Sequence, residues 1–411
     1  MRIIVQKFGG TSVSTAAQRS LVTRWVTDAV NKGFRPVVVV SAMGRRGDPY
    51  ATDTLLGLLQ SLPDAPAIET DLLAHCGEII SAVLMAAHLR EAGMMPQVMT
   101  GAQAGVKTDD RHGDAKIIDL DPAWLVDAIA QGCIPVVAGY QGWGSDGLVT
   151  TLGRGGSDTT AVALGAALKA ELVEIFTDVD GIKTADPRIV PEARTIPEMD
   201  YQEVFQMANS GARVIHPRAI ELARQFGVPV RVRSTFSREA GTLVGSTTRV
   251  LDSWAHRDPA RAVTGVTQLD SLIQFQVRCP ETDHPDWTYQ MFNELGARGV
   301  SVDLINVFPD SAYFCVFTAD RSAAEEALRD LEFPFDVYLD RAKVSIVGSA
   351  IQGLPGVVGR VMQALAKRHI TVLQSADSHA TITLLIAKKD MAEAVRALHQ
   401  QFGLDKEVAT P

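Results

Sequence analysis

The chain has 411 residues, 46% apolar and 21% charged, which is long enough for two or three domains and apolar enough to bury several cores. A small single module and wholesale disorder are excluded. Its formal charge of −9, from 39 basic and 48 acidic residues, argues against a binder of nucleic acid or anionic membranes, since both need a net basic face.

From the amino terminus to about residue 235, short β-rich runs alternate with Ala- and Leu-rich segments of helical period. Strands are expected at 3–8, 36–41, 97–100, 135–139, 172–177 and 228–234, and helices at 15–32, 71–92, 159–169 and 217–226. Several strands are apolar on both faces, as a parallel sheet covered by helices on both sides demands, so an α/β sandwich is expected. No apolar run reaches the roughly 18 residues of a membrane span. The first ten residues lack the long apolar segment of a signal peptide, so a cytoplasmic protein is expected. Cys76, Cys133, Cys279 and Cys315 are scattered and read as buried thiols, and the nine histidines show no metal-ligand spacing, so no protein-only metal cage is expected.

The motif KFGGTSV, residues 7–13, falls where the first strand ends and a helix begins. Gly9 and Gly10 lack Cβ, so their amides can approach an anion, and Lys7 adds a mobile charge suited to phosphate. A second glycine-rich segment, TTLGRGGSDTTAVALG, residues 150–165, sets Arg154 among Gly153, Gly155 and Gly156. Such a fork suits bidentate carboxylate recognition, and Ser157 and Asp158 are expected to cap the helix that follows. The third motif, FTDVDGIKTADPR, residues 176–188, leaves a buried strand at the kind of polar loop that binds ligands in α/β sheets. Turn chemistry alone is the alternative for Asp180-Gly181 and Asp186-Pro187. There is no Walker-type phosphate loop. The Gly-x-G-x-x-Gly spacing at Gly142, Gly144 and Gly147 precedes a strand rather than a helix and reads as a hairpin turn, and Asp109-Asp110 beside His112 reads as a solvated loop.

Residues 246–262 break the rhythm with Ser, Thr, Asp, Pro and charge, and place a boundary near 255. Beyond it, YQMFNELGARGVSVDLI from Tyr289 aligns with GRVMQALAKRHITVLQS from Gly359, an internal repeat. Each copy reads strand, helix, strand, strand, helix, the first adding a strand near 335–339, which is the ferredoxin-like βαββαβ order. The copies are expected to lie side by side or to meet those of a second chain.

KFGGTSV, TTLGRGGSD, FTDVDGIKTADPR and VPVRVRST at 228–235 resemble the signatures of the aspartate kinases of the amino acid kinase superfamily. PGVVGRVMQAL and LQSADSHATI resemble the second ACT domain of the monofunctional, diaminopimelate-sensitive Bacillus type. The resemblance implies a three-layer αβα kinase domain over 1–250, then ACT domains over 263–340 and 341–411. It implies transfer of the γ-phosphoryl of ATP, with Mg²⁺, to the β-carboxylate of L-aspartate, catalysed by positioning and charge without a protein nucleophile. On that pattern Lys7 bridges the transferring phosphoryl, the amides of Gly9 and Gly10 and the Ser12 hydroxyl cradle it, and Asp158 orients Lys7 or the substrate. Arg154 binds the substrate α-carboxylate, Glu78 its ammonium, and Thr52 and Ser41 lie near the reacting end. ATP lies over Thr177, Asp178, Asp180 and Arg188. Two positions depart from the family pattern: Arg213 stands where many members have a phosphate-contacting lysine, and Lys183 where a tyrosine is common. Asp303, Asn306, Gln374, Ser375 and Asp377 are expected to line a pocket for an amino-acid effector (diaminopimelate, lysine or threonine), and a homodimer or higher homo-oligomer through the ACT domains is expected. The alternatives are another acceptor specificity, such as acetylglutamate, glutamate or uridylate kinase, and a catalytically silent amino-acid sensor.

Overall fold

The computed structural model describes residues 1–59, 64–212, 214–246, 262–279, 286–348, 351 and 354–406. Arg213 and most of the 246–262 boundary segment lie outside the described residues. The chain forms two compact units, the first made of Met1–Ile182, Thr195–Ala208 and Arg213–Thr247, the second of Lys183–Arg194, Asn209–Ala212 and Thr248–Pro411.

The first unit is built on an eight-stranded sheet in the order Glu198–Met199, Thr242–Val244, Val230–Ser234, Leu172–Thr177, Ile3–Phe8, Arg35–Val40, Ile134–Ala138, Pro96–Met99. Pairings are parallel except that of Thr242–Val244 with Val230–Ser234. The opening strand is central, with Lys7 in register with Val39 on one side and Ile175 on the other. Val-rich runs buried on both faces make such strands because helices cover both sides. On one side, Val22, Trp25 and Val26 of Ala16–Asn31 and Ala82, Met85 and Leu89 of Cys76–Glu91 pack on Phe8, Val38, Val40, Val136 and Phe176. On the other lies Gly156–Ala167, buried over its first ten residues. The three-layer sandwich is therefore as expected.

Strands 3–8 and 172–177 and helix 217–226 match their expected bounds, and the others shift by one or two residues. Two helices depart further. The expected 71–92 helix is two helices, Ala67–Ala74 and Cys76–Glu91, joined at His75. Together, 67–91 are long and apolar enough to cross a membrane, contrary to the expectation that no such run exists. Ala82, Met85, Ala86 and Leu89 of the second helix instead lie in the core against the sheet, and the pair carries two buried carboxyls, Asp71 and Glu78. The expected 159–169 helix begins three residues early, at Gly156, because Gly155 supplies the left-handed N-cap; Ser157 and Asp158 lie in its first turn and do not cap it. A four-stranded side sheet, Ile117–Leu120, Val106–Thr108, Gln141–Trp143, Val149–Thr151, was not anticipated. Its last two strands form the antiparallel hairpin expected at Gly142–Gly147.

In the second unit, two long strands, Gly265–Arg278 and Phe335–Val347, pair antiparallel along most of their lengths, with an irregularity near residues 269–274. The six-stranded order is Asp303–Val307, Ser311–Phe317, Gly265–Arg278, Phe335–Val347, Thr381–Ala387, Gln374–Asp377. Residues 272–278 and 335–338 complete the first ferredoxin-like copy, around Phe275, Phe314 and Trp287. The second copy takes 341–347 as its first strand and borrows 265–269 as its last. Val266 accordingly sits in the second core with Val344, Val361, Leu384 and Leu398. The expected cut between 340 and 341 thus runs through a shared strand, and the copies are intertwined rather than sequential.

A fragment of residues 341–411 is expected to lack cooperative unfolding in urea followed by circular dichroism, because it is missing an edge strand and the buried Val266. A fragment of residues 262–411 should show a cooperative transition under the same conditions. A sharp transition in the shorter fragment would refute the exchange of strands.

Candidate active site

The carboxyl ends of the parallel strands gather the motif residues, as expected for an open α/β sheet. Lys7 leaves the central strand with its Nζ 2.7 Å from Asp158 Oδ1, both side chains 12% exposed. The turn after it is fixed by backbone bonds, Gly9 N to Phe176 O (3.3 Å) and Ser12 N to Gly9 O (2.9 Å). Gly10 allows a close approach: a Cβ there would lie 2.5 Å from Ala42 O and 2.7 Å from Gly44 O. The first two motifs are therefore joined by one ion pair.

The Ser12 side chain is fully buried, with Oγ 2.6 Å from Thr235 Oγ1. The hydroxyl ties the glycine turn to the 228–235 segment. Thr235 N in turn donates to Thr177 O (3.0 Å). Asp178 accepts from Arg45 Nη2 at 2.5 Å and from Thr177 Oγ1 at 3.2 Å, and Asp180 accepts from Ser237 Oγ at 2.6 Å. Arg45 was missed in the sequence, although it sits between two glycines in the loop after a sheet strand. Lys183 and Arg188 belong to the second unit, where Arg188 is paired with Asp186 at 2.7 Å.

Glu78 lies in the first turn of Cys76–Glu91, 2% exposed. Its Oε1 accepts from Ala42 N at 3.1 Å, while the buried Oε2 has no hydrogen-bond partner. Burial pushes its carboxyl up to about 8, against the lowering effect of the Ala42 amide. Gly77, beside it, packs against Ala42 and the Tyr50 carbonyl, which brings Ser41 and Thr52 of the neighbouring chain close to the same helix start. Arg154 is exposed and its guanidinium takes part in no hydrogen bond or ion pair within the described residues. Tyr140, with φ of 71°, stands between these groups. Burial raises its hydroxyl above the ordinary value, Glu78 and Asp71 add to the rise, and Thr151 and Arg154 oppose it. Gly155, at φ of 70°, admits the His216 ring, which a Cβ would overlap at 2.1 Å. Burial lowers the His216 pKa, and the Asp158 charge opposes that.

The site thus holds a cation paired to an aspartate at a glycine turn, a free guanidinium, and a buried carboxyl with an open oxygen. This is an arrangement for binding a phosphoryl group and a small zwitterion, and the fold and site define a phosphotransferase of the amino acid kinase class. Residues 2–234 match the model of the Amino acid kinase family, and residues 338–400 match an ACT domain. The chain is 46% identical over 410 residues to Aspartokinase 1 of Bacillus subtilis, covering 99% of this chain and all of that one. The crystal structure of aspartate kinase from Synechocystis superposes with a TM-score of 0.83 at 27% identity, covering 100% of both chains. Aspartokinase III of E. coli in complex with aspartate and ADP gives 0.80 at 26% identity, covering 97% of this chain and 99% of that one, and its complex with lysine and aspartate gives 0.75 at the same identity and coverage. The chain belongs to the aspartokinase family: it transfers the γ-phosphoryl of ATP to the β-carboxylate of L-aspartate.

The Glu78 carboxyl is predicted to make the ligand-free protein less stable as pH rises. Its ordinary value of 4.5 is raised to about 8 in the fold, so the folded state holds the proton more tightly. The stability this gives is complete below 4.5 and lost as pH climbs through 8. Glu78→Gln should therefore raise the melting temperature relative to the parent protein more at pH 8 than at pH 5. Equal shifts at both pH values would contradict the assignment.

Proposed function

We propose that Lys7, with the amides of Gly9 and Gly10, holds the terminal phosphoryl of ATP, and that Arg154 and Glu78 hold the α-carboxylate and ammonium of aspartate. The observation that carries this reading is the Lys7–Asp158 pair, which fixes an ammonium at the glycine turn through an aspartate four residues after Arg154, itself without a partner among the described residues. A β-carboxylate oxygen of aspartate forms the new bond to the γ-phosphorus, the bond from that phosphorus to the bridging oxygen breaks, and ADP departs with the electron pair. The attacking carboxylate is already ionised, so no base is needed. Lys7 stabilises charge on the equatorial oxygens, and Asp158 holds Lys7 between turnovers. Ser41 and Thr52 flank the acceptor carboxylate, and an ammonium entering beside Glu78 would draw its proton off by pairing with the ionised form.

The nucleotide is assigned to Thr177, Asp178 and Asp180 of the first unit. Among the described residues no cluster of three or more His, Cys, Asp or Glu side chains could hold a metal. Mg²⁺ is proposed to be held chiefly by ATP oxygens and water, and would supply charge neutralisation at the phosphates.

For regulation, a cavity of about 680 Å³ in the second unit is lined by Asn306, Asp310, Tyr313, Leu373, Gln374 and Ser375 among others. Three of the five expected effector residues lie there. Asp303 is instead ion-paired with Lys343, and Asp377 lies in the edge strand away from the lining. An amino acid such as lysine, threonine or diaminopimelate is assigned to this cavity, with a coupling of about 1–3 kcal/mol to catalysis. The protein is placed in the cytoplasm at the head of the biosynthesis of those amino acids, as a dimer through its ACT edge strands.

Lys7→Ala should lower kcat by at least about a hundredfold, the scale of one lost transition-state donor. Arg154→Ala should raise the aspartate KM strongly and leave the ATP KM in place. Steady-state kinetics with hydroxamate detection check both, and a near-normal kcat or an unchanged aspartate KM would remove the respective residue from its role. Calorimetric titration should give saturable heat with at least one of the three amino acids, lost in Asn306→Ala; equal binding in that variant would move the effector elsewhere.

A further inference from the structure

Asp71 has no role in the chemistry above, yet it is one of the most fully buried carboxylates in the first unit, 1% exposed. It is also among the most heavily bonded. Thr151 N donates to Oδ2 at 3.1 Å and Thr151 Oγ1 to Oδ1 at 2.5 Å. Gly113 N reaches both oxygens at 3.1 Å, and His112 Nδ1 donates to Oδ2 at 2.8 Å. Asp110 and Arg111 are exposed, as expected of a solvated loop, with Asp110 bonded to Ser145, while His112 is anchored inward on Asp71.

These bonds converge on the two residues that precede the Arg154 loop. Besides the bonds to Asp71, Thr151 O accepts from Ala115 N at 2.8 Å and Leu152 N donates to Tyr140 O at 2.9 Å. Leu152 O accepts from Arg218 Nη1 at 2.8 Å, and the same guanidinium holds Asp114 at 3.0 Å. Every backbone polar group of Thr151 and Leu152 is thus engaged, while Arg154, two residues further, has no partner. A buried carboxylate can accept four such bonds, and each is stronger for its charge. We infer that Asp71 is a positioning residue for acceptor binding: through Thr151 and the 112–113 turn it fixes where the Arg154 guanidinium meets the substrate carboxylate. The inference rests on the proposed role of Arg154.

An amide at this position keeps one acceptor oxygen, replaces the other with an NH2 donor and removes the charge, so the bonds from Gly113, His112 and Thr151 cannot all be kept at full strength. Asp71→Asn should raise the aspartate KM by about tenfold or more, the scale of a small misplacement of a binding group, with the ATP KM unchanged. Thr151→Val, isosteric and lacking only the hydroxyl donor, should move the aspartate KM in the same direction by less. It serves as the test should Asp71→Asn fail to fold. The discriminating measurement is the double variant Asp71→Asn/Arg154→Ala, or Thr151→Val/Arg154→Ala in its place. If Asp71 acts through Arg154, the second change adds nothing to the aspartate KM of Arg154→Ala. Multiplied effects, or an unchanged aspartate KM in a single variant that melts like the parent, would overturn the inference and leave the reading of Arg154 standing. An unchanged aspartate KM in Arg154→Ala alone would overturn both.

Discussion

An ammonium at the end of a central buried strand is tenable only with an anion beside it, and in the substrate-free chain that anion is Asp158. Removing either member would leave a poorly solvated charge, a much larger penalty than the pair's net contribution to stability. The pair also fixes the geometry of the site. Asp158 sits in the first turn of Gly156–Ala167, so the ion pair sets that helix start, and with it the Arg154 loop, against the glycine turn after Lys7. A phosphoryl group entering at Gly9 and Gly10 meets a lysine already oriented, and little reorganisation remains for the reaction itself.

Around this pair the site leaves its other charged groups incomplete. Glu78 keeps one buried oxygen without a donor, and Arg154 keeps its fork without an acceptor. On the proposed roles of these two groups, a zwitterionic amino acid would complete both, its ammonium at the carboxyl and its α-carboxylate at the guanidinium. A ligand lacking either end leaves one of the two unpaired. On that proposal, a site built from few residues would distinguish aspartate from a simple dicarboxylate or an amine.

The parts legible in the sequence were those with a local signature. Residues 3–8 and 172–177 are apolar runs ended by Gly9 and by the Thr177-Asp178 polar step, and 217–226 opens with proline and closes at Gly227, so their bounds followed from composition. The lysine and arginine motifs were legible because glycine marks where backbone must approach a ligand. Asp71 carried no such mark: its partners lie 41, 42 and 80 residues away, and a side-chain bond across that distance leaves no spacing to read. The bond from Ser12 to Thr235, 223 residues on, was illegible for the same reason. The side sheet was missed because its strands are only three or four residues long.

The strand exchange in the second unit bears on how an amino acid could be sensed at all. A single ferredoxin-like copy offers an edge strand and a helix layer, with no enclosed polar cavity of its own. Here Asn306 and Tyr313 come from the first copy and Leu373, Gln374 and Ser375 from the second. Gln374 is bonded both to Gln274 and to the Leu304 carbonyl, so the wall between the copies is itself polar and adjustable. The strands Gly265–Arg278 and Phe335–Val347 run through both copies, with register shifts between 269 and 274. A ligand shifts an equilibrium only by its difference in affinity between two arrangements.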